Sequence, residues 1–536
     1  MINLKIDHIE LQVEENLSVL EAARQAGIDI PSLCFLKGYK SHPSCMVCMV
    51  KDKNTHALVP SCSLKVVEGM EIDASSEEVR TSRRQALEML LSDHVGDCVA
   101  PCTLACPAGM DIPYMNRLIG EARFTEALNV AKEDIALPLI LGYICPAPCE
   151  NACRRRQIDN SASICLLKRF VAEEGVDKRA EEAAKMHREA NEKRKKVAII
   201  GSGPAGLTVA YYLQLLGYSC SVFERSPEAG GTLRYDIPEE QLPRDVIDEE
   251  VDLIRSMGVN FYFNTLITAQ LFNEQIKNEY DAIIIATGNI ATQDKLKELF
   301  ELSGSGFKIN QQDMSSSQPG VFVCGSAVKP QKAAVRTVAQ AKTTALSAHH
   351  YLQGLAWEKP EKKFNSRFSK LFESEFSEFL KESSTTGSVS AEKDFQKGLS
   401  IDEAIQEALR CGHCDCRKKD NCRLRDYADE YQADKKRYMV GDRKTMAKQI
   451  QHDLIIYEQQ KCIKCGLCVE ISNEGGEKFG MAFEGRGFDV VVNAPLGKSF
   501  NESLSHTAVK CAEYCPTGAL SLKDKYANIY RKNQKE

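Results

Sequence analysis

Apolar and polar positions alternate at the start of the chain. Ile2, Leu4 and Ile6 form one run and Ile9, Leu11 and Val13 a second, with Asp7-His8 between them. A period of two on either side of a polar pair predicts a hairpin with one buried face. Ser18-Val-Leu-Glu21 has capping-box spacing, Leu20, Ala23 and Ala26 mark the inner face of a helix, and Gly27 ends it. Leu118, Ala122, Ala127, Leu128 and Ala131 have helical periodicity, and Ile164 to Phe170 predicts another amphipathic helix. Lys178 to Lys196 is charge-rich and reads as a solvated helical linker. Val197-Ala-Ile-Ile predicts a strand, the stretch through Leu216 a long helix stopped by Gly217, and Ser219 to Glu224 a second strand. Phe364, Phe368, Leu371, Phe372, Phe376, Phe379 and Leu380 recur at helical spacing and predict a docking helix, with a flexible break at Ser383 to Gly387.

The longest apolar run, about Ile135 to Cys145, is short of the roughly 18 residues of a membrane span. The start lacks the basic and apolar regions of a signal peptide. At 536 residues, three or four domains are expected. A net charge of −6 argues against a general nucleic-acid or membrane-surface binder. The number that changes the picture is 22 cysteines. A chain this long needs no disulfide staples, so reduced thiols in the cytoplasm are expected. Most of them fall in short-spaced groups, which is metal-ligand spacing.

Cys34, Cys45, Cys48 and Cys62 are spaced C-x10-C-x2-C-x13-C. Four thiolates suit a 2Fe–2S cluster, two per iron; the alternative, zinc, usually takes two tight pairs rather than one. The spacing and the hairpin–helix lead-in resemble the ferredoxin-like domain that opens the large iron–sulfur subunit of complex I and of iron-only hydrogenases.

His94-x3-Cys98-x3-Cys102-x3-Cys106-Pro107 comes next, then Cys145-x3-Cys149-x3-Cys153. This stretch resembles the N-terminal domain of the glutamate synthase small subunit and its relatives, among them dihydropyrimidine dehydrogenase and the NADPH subunit of bifurcating transhydrogenase. The resemblance implies two 4Fe–4S clusters, with Cys98, Cys102 and Cys153 on one and Cys106, Cys145 and Cys149 on the other. The family's first cysteine is absent. His94 sits in that neighbourhood and is expected as the fourth ligand of the first cluster, as a His-x3-Cys histidine is in complex I, or else is a surface histidine. The family takes the second cluster's fourth ligand, a Gln or Glu, from the following helix. Here Cys165 lies a few residues from the matching position, as a ligand or a buried core cysteine.

Val197-Ala-Ile-Ile-Gly201-Ser-Gly203-Pro204-Ala205-Gly206 is a G-x-G-x-x-G in full strand–helix–strand context, with Glu224-Arg225 closing the second strand. Glu224 is placed to accept from ribose hydroxyls. Ala229-Gly230-Gly231-Thr232-Leu-Arg234, then Ala286-Thr287-Gly288, then Gly320 to Gly325 echo the FAD fold of the same family. Two departures stand out. Where that family inserts a complete NADPH domain after its Ala-Thr-Gly strand, only 32 residues, Asn289 to Gly320, are present, and Gly304-Ser-Gly306 has no third glycine. The family's Gly-Asp after the last strand is Gly325-Ser326, whose hydroxyl can still hydrogen-bond.

Cys411-x2-Cys414-x-Cys416-x5-Cys422 fits either zinc or a fourth 4Fe–4S cluster, with Arg417, Lys418, Lys419, Arg423 and Arg425 to offset the charge. Cys462-Ile-Lys-Cys465-Gly-Leu-Cys468 begins a ferredoxin motif completed by distant Cys515-Pro516. Ser472, Ser505 and Ala508 stand where a second cluster's ligands are expected, leaving Cys511 as its remnant.

The expected fold is multidomain, α/β plus α+β: a β-grasp ferredoxin-like domain (1–80), a helical twin-cluster domain (82–175), a Rossmann-type FAD domain without its NADPH domain (195–354), a helical linker with the four-cysteine site (365–435) and a ferredoxin-like domain with one degenerate site (436–536). No nucleophile elbow, HExxH or P-loop is present, so no catalytic residue is assigned. The expected function is electron transfer within a larger anaerobic redox complex of hydrogenase, formate dehydrogenase or transhydrogenase type. Its partners would be an NADH-oxidising flavoprotein, a hydrogenase- or formate dehydrogenase-type catalytic subunit, or soluble ferredoxin. The alternatives are a self-sufficient NAD(P)H oxidoreductase or glutamate synthase small subunit, and a scaffold with zinc-filled sites.

Overall fold

The opening alternation closes into a sheet because Leu4, Ile6 and Val13 share one buried face. In the computed structural model, which describes residues 1–189, 194–289, 295–358, 363–389, 397–441 and 443–523, the strands Ile2–Ile6 and Ile9–Val13 pair antiparallel with Ile2 opposite Val13. Met70–Asp73 joins Ile2–Ile6 in parallel, and Met49–Asp52 and Leu58–Pro60 complete five strands. The helix Val19–Gln25 starts in a complete capping box: the Glu21 N–H donates to Ser18 Oγ at 3.2 Å and the Ser18 N–H to Glu21 Oε2 at 2.9 Å. Its Val19, Leu20, Ala22 and Ala23 pack with Leu4, Ile6, Val50 and Ile72.

The chain divides into two compact units. The first comprises Met1–Val99, Lys362–Glu382 and Cys414–Glu536, the second Ala100–Glu361 and Ser383–His413. Within the first, Leu87 and Leu91 of the helix Glu77–Ser92 share a core with Leu33, Cys34, Tyr431, Ile455 and Tyr457. Ile455–Glu458 is the middle strand of an antiparallel trio with Lys448–Gln449 and Leu520–Leu522.

The predicted docking helix is not formed. Residues 363–372 are irregular, followed only by the short turns Glu373–Glu375 and Phe376–Phe379. Partners elsewhere in the unit take the backbone groups that a helix needs. Ser366 exchanges bonds with Cys98, its carbonyl accepting the Cys98 N–H at 3.1 Å and its N–H reaching Cys98 Sγ at 3.4 Å. The Phe364 and Phe368 N–H groups donate to Asp429 and Asp97. Tertiary hydrogen bonds here outweigh helical periodicity.

In the second unit, the periodic stretch from Leu118 to Ala131 folds as two helices, Ile112–Gly120 and Phe124–Asp134, broken where Ala122 takes a φ of 54°. The helix Ile164–Glu174 lies against Pro138–Ile144, where a Cβ on Gly142 would come within 2.5 Å of Arg169 Cβ. Only glycine permits that approach. Five parallel strands follow, in the spatial order Val321–Val323, Ala282–Ile285, Lys196–Ile200, Ser219–Phe223, Asn260–Tyr262. In the described part of the insert, a turn at Lys295–Leu299 and a two-residue hairpin bring Leu296, Phe300 and Phe307 against Ile283, Ile285, Val321 and Val323. Residues 190–193 of the linker and 290–294 of the insert lie outside the described residues. Among the described residues no helix is long and apolar enough to cross a membrane.

Candidate metal and flavin sites

Cys34, Cys45, Cys48 and Cys62 are all buried. The first two sulfurs are 3.3 Å apart, and Cys62 hydrogen-bonds to both Cys34 and Cys48. Donation from Cys45, and then from Cys62, holds the Cys34 thiol far below its usual range, while giving that bond pushes Cys45 up. The Ser61 hydroxyl donates to the Cys48 carbonyl at 2.7 Å and fixes the strand end that carries Cys48.

Cys462, Cys465, Cys468 and Cys515 line one recess of ≈ 350 Å³ together with Tyr457 and Leu520. Burial, and then the charge of Cys515, pushes the Cys465 thiol up. The stretch that holds Ser472, Ser505 and Cys511 is filled rather than empty. Ser472 Oγ donates to the Val469 carbonyl at 3.0 Å and accepts the Met481 N–H at 2.9 Å. The Glu477 carboxylate accepts from the Ser505 N–H and hydroxyl, the His506 N–H, and the Thr507 N–H and hydroxyl. Burial acts against the Glu477 charge, yet these bonds hold the acid down at about 2. Cys511 is fully buried, its Sγ 3.7 Å from the Cys468 carbonyl. Sequence reasoning missed Glu477, because no motif marks a carboxylate that ties down a distant loop.

In the second unit, Cys106, Cys145, Cys149 and Cys165 line a recess of ≈ 330 Å³. Cys165 sits close enough to Cys145 for a thiol–thiol hydrogen bond. Its N–H donates to Glu150 Oε1 at 2.8 Å. Lys168, one helical turn on, is 3% exposed, with Nζ 3.0 Å from the Leu141 carbonyl and 3.8 Å from Cys165 Sγ. Burial works against this ammonium, but the charges of Cys165, Cys145, Cys149 and Cys106 more than offset it. The spacing three after Cys165 was the only sequence signal for it.

The remaining cysteines are placed differently from their spacing in sequence. His94 and Cys98 belong to the first unit, Cys102 and Cys153 to the second. Cys411, in the second unit, has Cys153 as an electrostatic neighbour. In the first unit Cys422 is pushed up to about 12 by burial, then by Cys416 and Cys98. The boundary between the two units falls inside the motif, between Cys411 and Cys414. Among the described residues, no group of three or more His, Cys, Asp or Glu side chains has the close convergence of a single-ion site.

The glycine loop has the tight geometry of its motif. A Cβ on Gly206 would fall 1.9 Å from the Gly201 carbonyl oxygen, whereas one on Gly203 meets nothing within 4 Å. The helix Pro204–Leu215 thus begins with open space before its N-terminus, where a pyrophosphate is accepted. Glu224 Oε2 accepts from the Ser202 N–H and hydroxyl at 2.8 and 2.6 Å, so the loop itself now holds this acid. Arg225 and Thr232 are exposed at the same end, and Arg234 pairs with Asp248. Gly231 approaches Gly203, Gly325 approaches Ala205, and Ser326 Oγ lies 3.4 Å from the Gln331 N–H. Next to Ala286 and before Gly288, Thr287 Oγ1 is buried without a partner, an orphaned atom that fits a bound dinucleotide.

Three family models match. Residues 1–77 match a 2Fe–2S iron–sulfur cluster binding domain, 76–180 the dihydropyrimidine dehydrogenase domain II with its 4Fe–4S cluster, and 169–345 the pyridine nucleotide-disulphide oxidoreductases, which bind FAD. The chain carries these three domains in one multidomain α/β protein. It is 40% identical over 191 residues, 35% of this chain, to the NADPH-Fe(3+) oxidoreductase subunit beta of Geobacter sulfurreducens. It is 39% identical over 207 residues, also 35% of this chain, to the NADP(+)-dependent formate dehydrogenase subunit beta of Moorella thermoacetica. It is 35% identical over 206 residues, 38% of this chain, to the NADPH glutamate synthase small chain of Bacillus subtilis. The matches span 28%, 29% and 41% of those relatives' own lengths.

Proposed function

We propose that this chain is an iron–sulfur flavoprotein subunit that relays electrons between the partner subunits of a larger redox complex. The observation that carries this reading is the succession of thiol groups inside the first unit: Cys465 has Cys34 as an electrostatic neighbour, and Cys422 has Cys515. Adjacent redox sites of this kind are suited to passing electrons on. Bound clusters would supply one-electron chemistry and bound FAD the exchange between one- and two-electron carriers. The chain's own residues bury the thiols, exclude water from them and set the Lys168 ammonium against them.

The finer reading takes residues 1–80 as a β-grasp domain, 82–175 as a twin-cluster domain, 195–354 as the flavin domain, 365–435 as a linker and 436–536 as a ferredoxin-like domain. Cys34, Cys45, Cys48 and Cys62 are assigned to the 2Fe–2S cluster. Cys106, Cys145, Cys149 and Cys165 take one 4Fe–4S cluster, and Cys462, Cys465, Cys468 and Cys515 another. The insert is read as too short for a nicotinamide domain, so reducing equivalents enter from a partner. The resemblance to subunits of an NADPH-Fe(3+) oxidoreductase and an NADP(+)-dependent formate dehydrogenase favours an NAD(P)H-oxidising or formate dehydrogenase-type partner, and the reading places the chain in the cytoplasm. The test is anaerobic purification of the chain with iron, sulfide and flavin analysis and an NAD(P)H oxidation assay. Bound iron and FAD with no saturable turnover by the chain alone is the expected result. An iron-free chain, or rapid saturable NAD(P)H oxidation, overturns it.

A further inference from the structure

Cys98 and Cys416 lie more than three hundred residues apart, yet the Cys416 N–H donates to the Cys98 carbonyl at 3.2 Å. Cys98 Sγ accepts the Ser366 N–H at 3.4 Å. Cys422 Sγ lies 3.8 Å from the Pro516 carbonyl, and a Cβ on Gly518 would fall 2.2 Å from Cys416 Sγ. Three thiols from the two ends of the chain thus meet in one buried place, where each charge disfavours the next. Such a set is stable as thiolates when a cationic centre lies among them. His94 belongs with them. It is 8% exposed, the Lys461 backbone is among its neighbours, and its Nδ1 has no partner. Lys461, whose buried ammonium interacts with Glu458 and then with Cys416, borders both. A buried imidazole with a bare ring nitrogen beside thiols has the nitrogen that a metal-ligating histidine offers.

We propose that His94, Cys98, Cys416 and Cys422 ligate one 4Fe–4S cluster, assembled from both ends of the chain. The grouping separates Cys98 from Cys102 and Cys153, its partners by sequence resemblance, and it splits the four-cysteine motif. It rests on the iron–sulfur reading above, and with the three sets assigned there it uses every cysteine of the first unit except Cys414 and Cys511.

The test compares the anaerobically purified full chain with its Cys98→Ser, Cys416→Ser and Cys102→Ser variants by iron analysis and electron paramagnetic resonance of the reduced state. Cys98→Ser and Cys416→Ser should each lose about four irons and the same spectral component, and Cys102→Ser should keep that component. If Cys98→Ser and Cys102→Ser lose a common component that Cys416→Ser retains, the grouping is wrong. The 2Fe–2S signal serves as the folding control in every variant. Independently of any variant, the wild-type chain labelled with 15N-histidine should show an imidazole nitrogen coupled to that component. Its absence removes His94 from the set. An iron-free chain overturns the electron-transfer reading as a whole, whereas an iron-replete chain with the other pairing overturns only this grouping.

Discussion

Lys168 offers the most quantitative test of how this chain sets the properties of its centres. Its Nζ is 3.8 Å from Cys165 Sγ inside a recess that also holds Cys106, Cys145 and Cys149. An ammonium and a thiolate at that separation attract by about 4 kcal/mol at an effective dielectric of about 20. An electron added to a cluster in the recess is spread over irons and sulfurs, so about 6 Å is the better separation and about 3 kcal/mol the better energy. For a one-electron couple at about 59 mV per 1.4 kcal/mol, that is about 120 mV. Lys168→Met keeps the volume and removes the charge. It should lower the midpoint potential of one 4Fe–4S component by about 120 mV and leave the others in place. The assay is a redox titration followed by electron paramagnetic resonance, with the component identified as the one lost in Cys145→Ser. A shift below about 30 mV, or a rise, refutes the claim that this ammonium acts on the cluster. The variant also removes one donor from the Leu141 carbonyl, which keeps the Cys145 N–H, so the loss of stability should be about 1 kcal/mol.

Two further outcomes follow from the geometry. Glu477 is held at about 2 in the folded chain against an ordinary 4.5, so its contribution is complete above about pH 4.5 and fades as the pH falls towards 2. The stability difference between wild type and Glu477→Gln, read by thermal unfolding at matched cluster content, should therefore shrink as the pH is lowered through that window; a gap that stays constant removes Glu477 as the brace of Ser505 to Thr507. Gly206→Ala places a methyl group against the Gly201 carbonyl. It should destabilise the flavin domain by about 1–3 kcal/mol and release most of the flavin, measured by fluorescence after denaturation, with iron content unchanged.

Local signals in the sequence were strong where a short stretch determines its own structure. The hairpin, the Ser18–Glu21 capping box and the glycine loop all have short-range causes, and each is where the pattern placed it. The ferredoxin residues Cys462, Cys465 and Cys468 are joined by Cys515 because the Cys-Pro signature marks the distant partner. The pattern failed where distant segments compete for one backbone. The phenylalanine periodicity from Phe364 to Leu380 meant a helix, but Cys98, Asp97 and Asp429 claim the N–H groups of Ser366, Phe368 and Phe364. The spacing of Cys411, Cys414, Cys416 and Cys422 likewise records nothing of Cys153, an electrostatic neighbour of Cys411, or of Cys98, one of Cys422. Glu477 was invisible for a related reason, and Lys168 nearly so: a charge opposite a thiol or a loop belongs to no motif.

The first unit is threaded from three separated stretches of chain, and this has a bearing on biogenesis. The set from Cys34 to Cys62 is complete soon after it leaves the ribosome and can be metallated while synthesis continues. Cys98 must wait for Cys416, which at roughly 5–20 residues per second is a delay on the order of tens of seconds. During that interval its thiol is open to oxidants and to stray metal. Iron delivery to the later sites is therefore expected to follow release of the finished polypeptide, and a chain truncated before residue 414 should mature only its earliest centre in that unit.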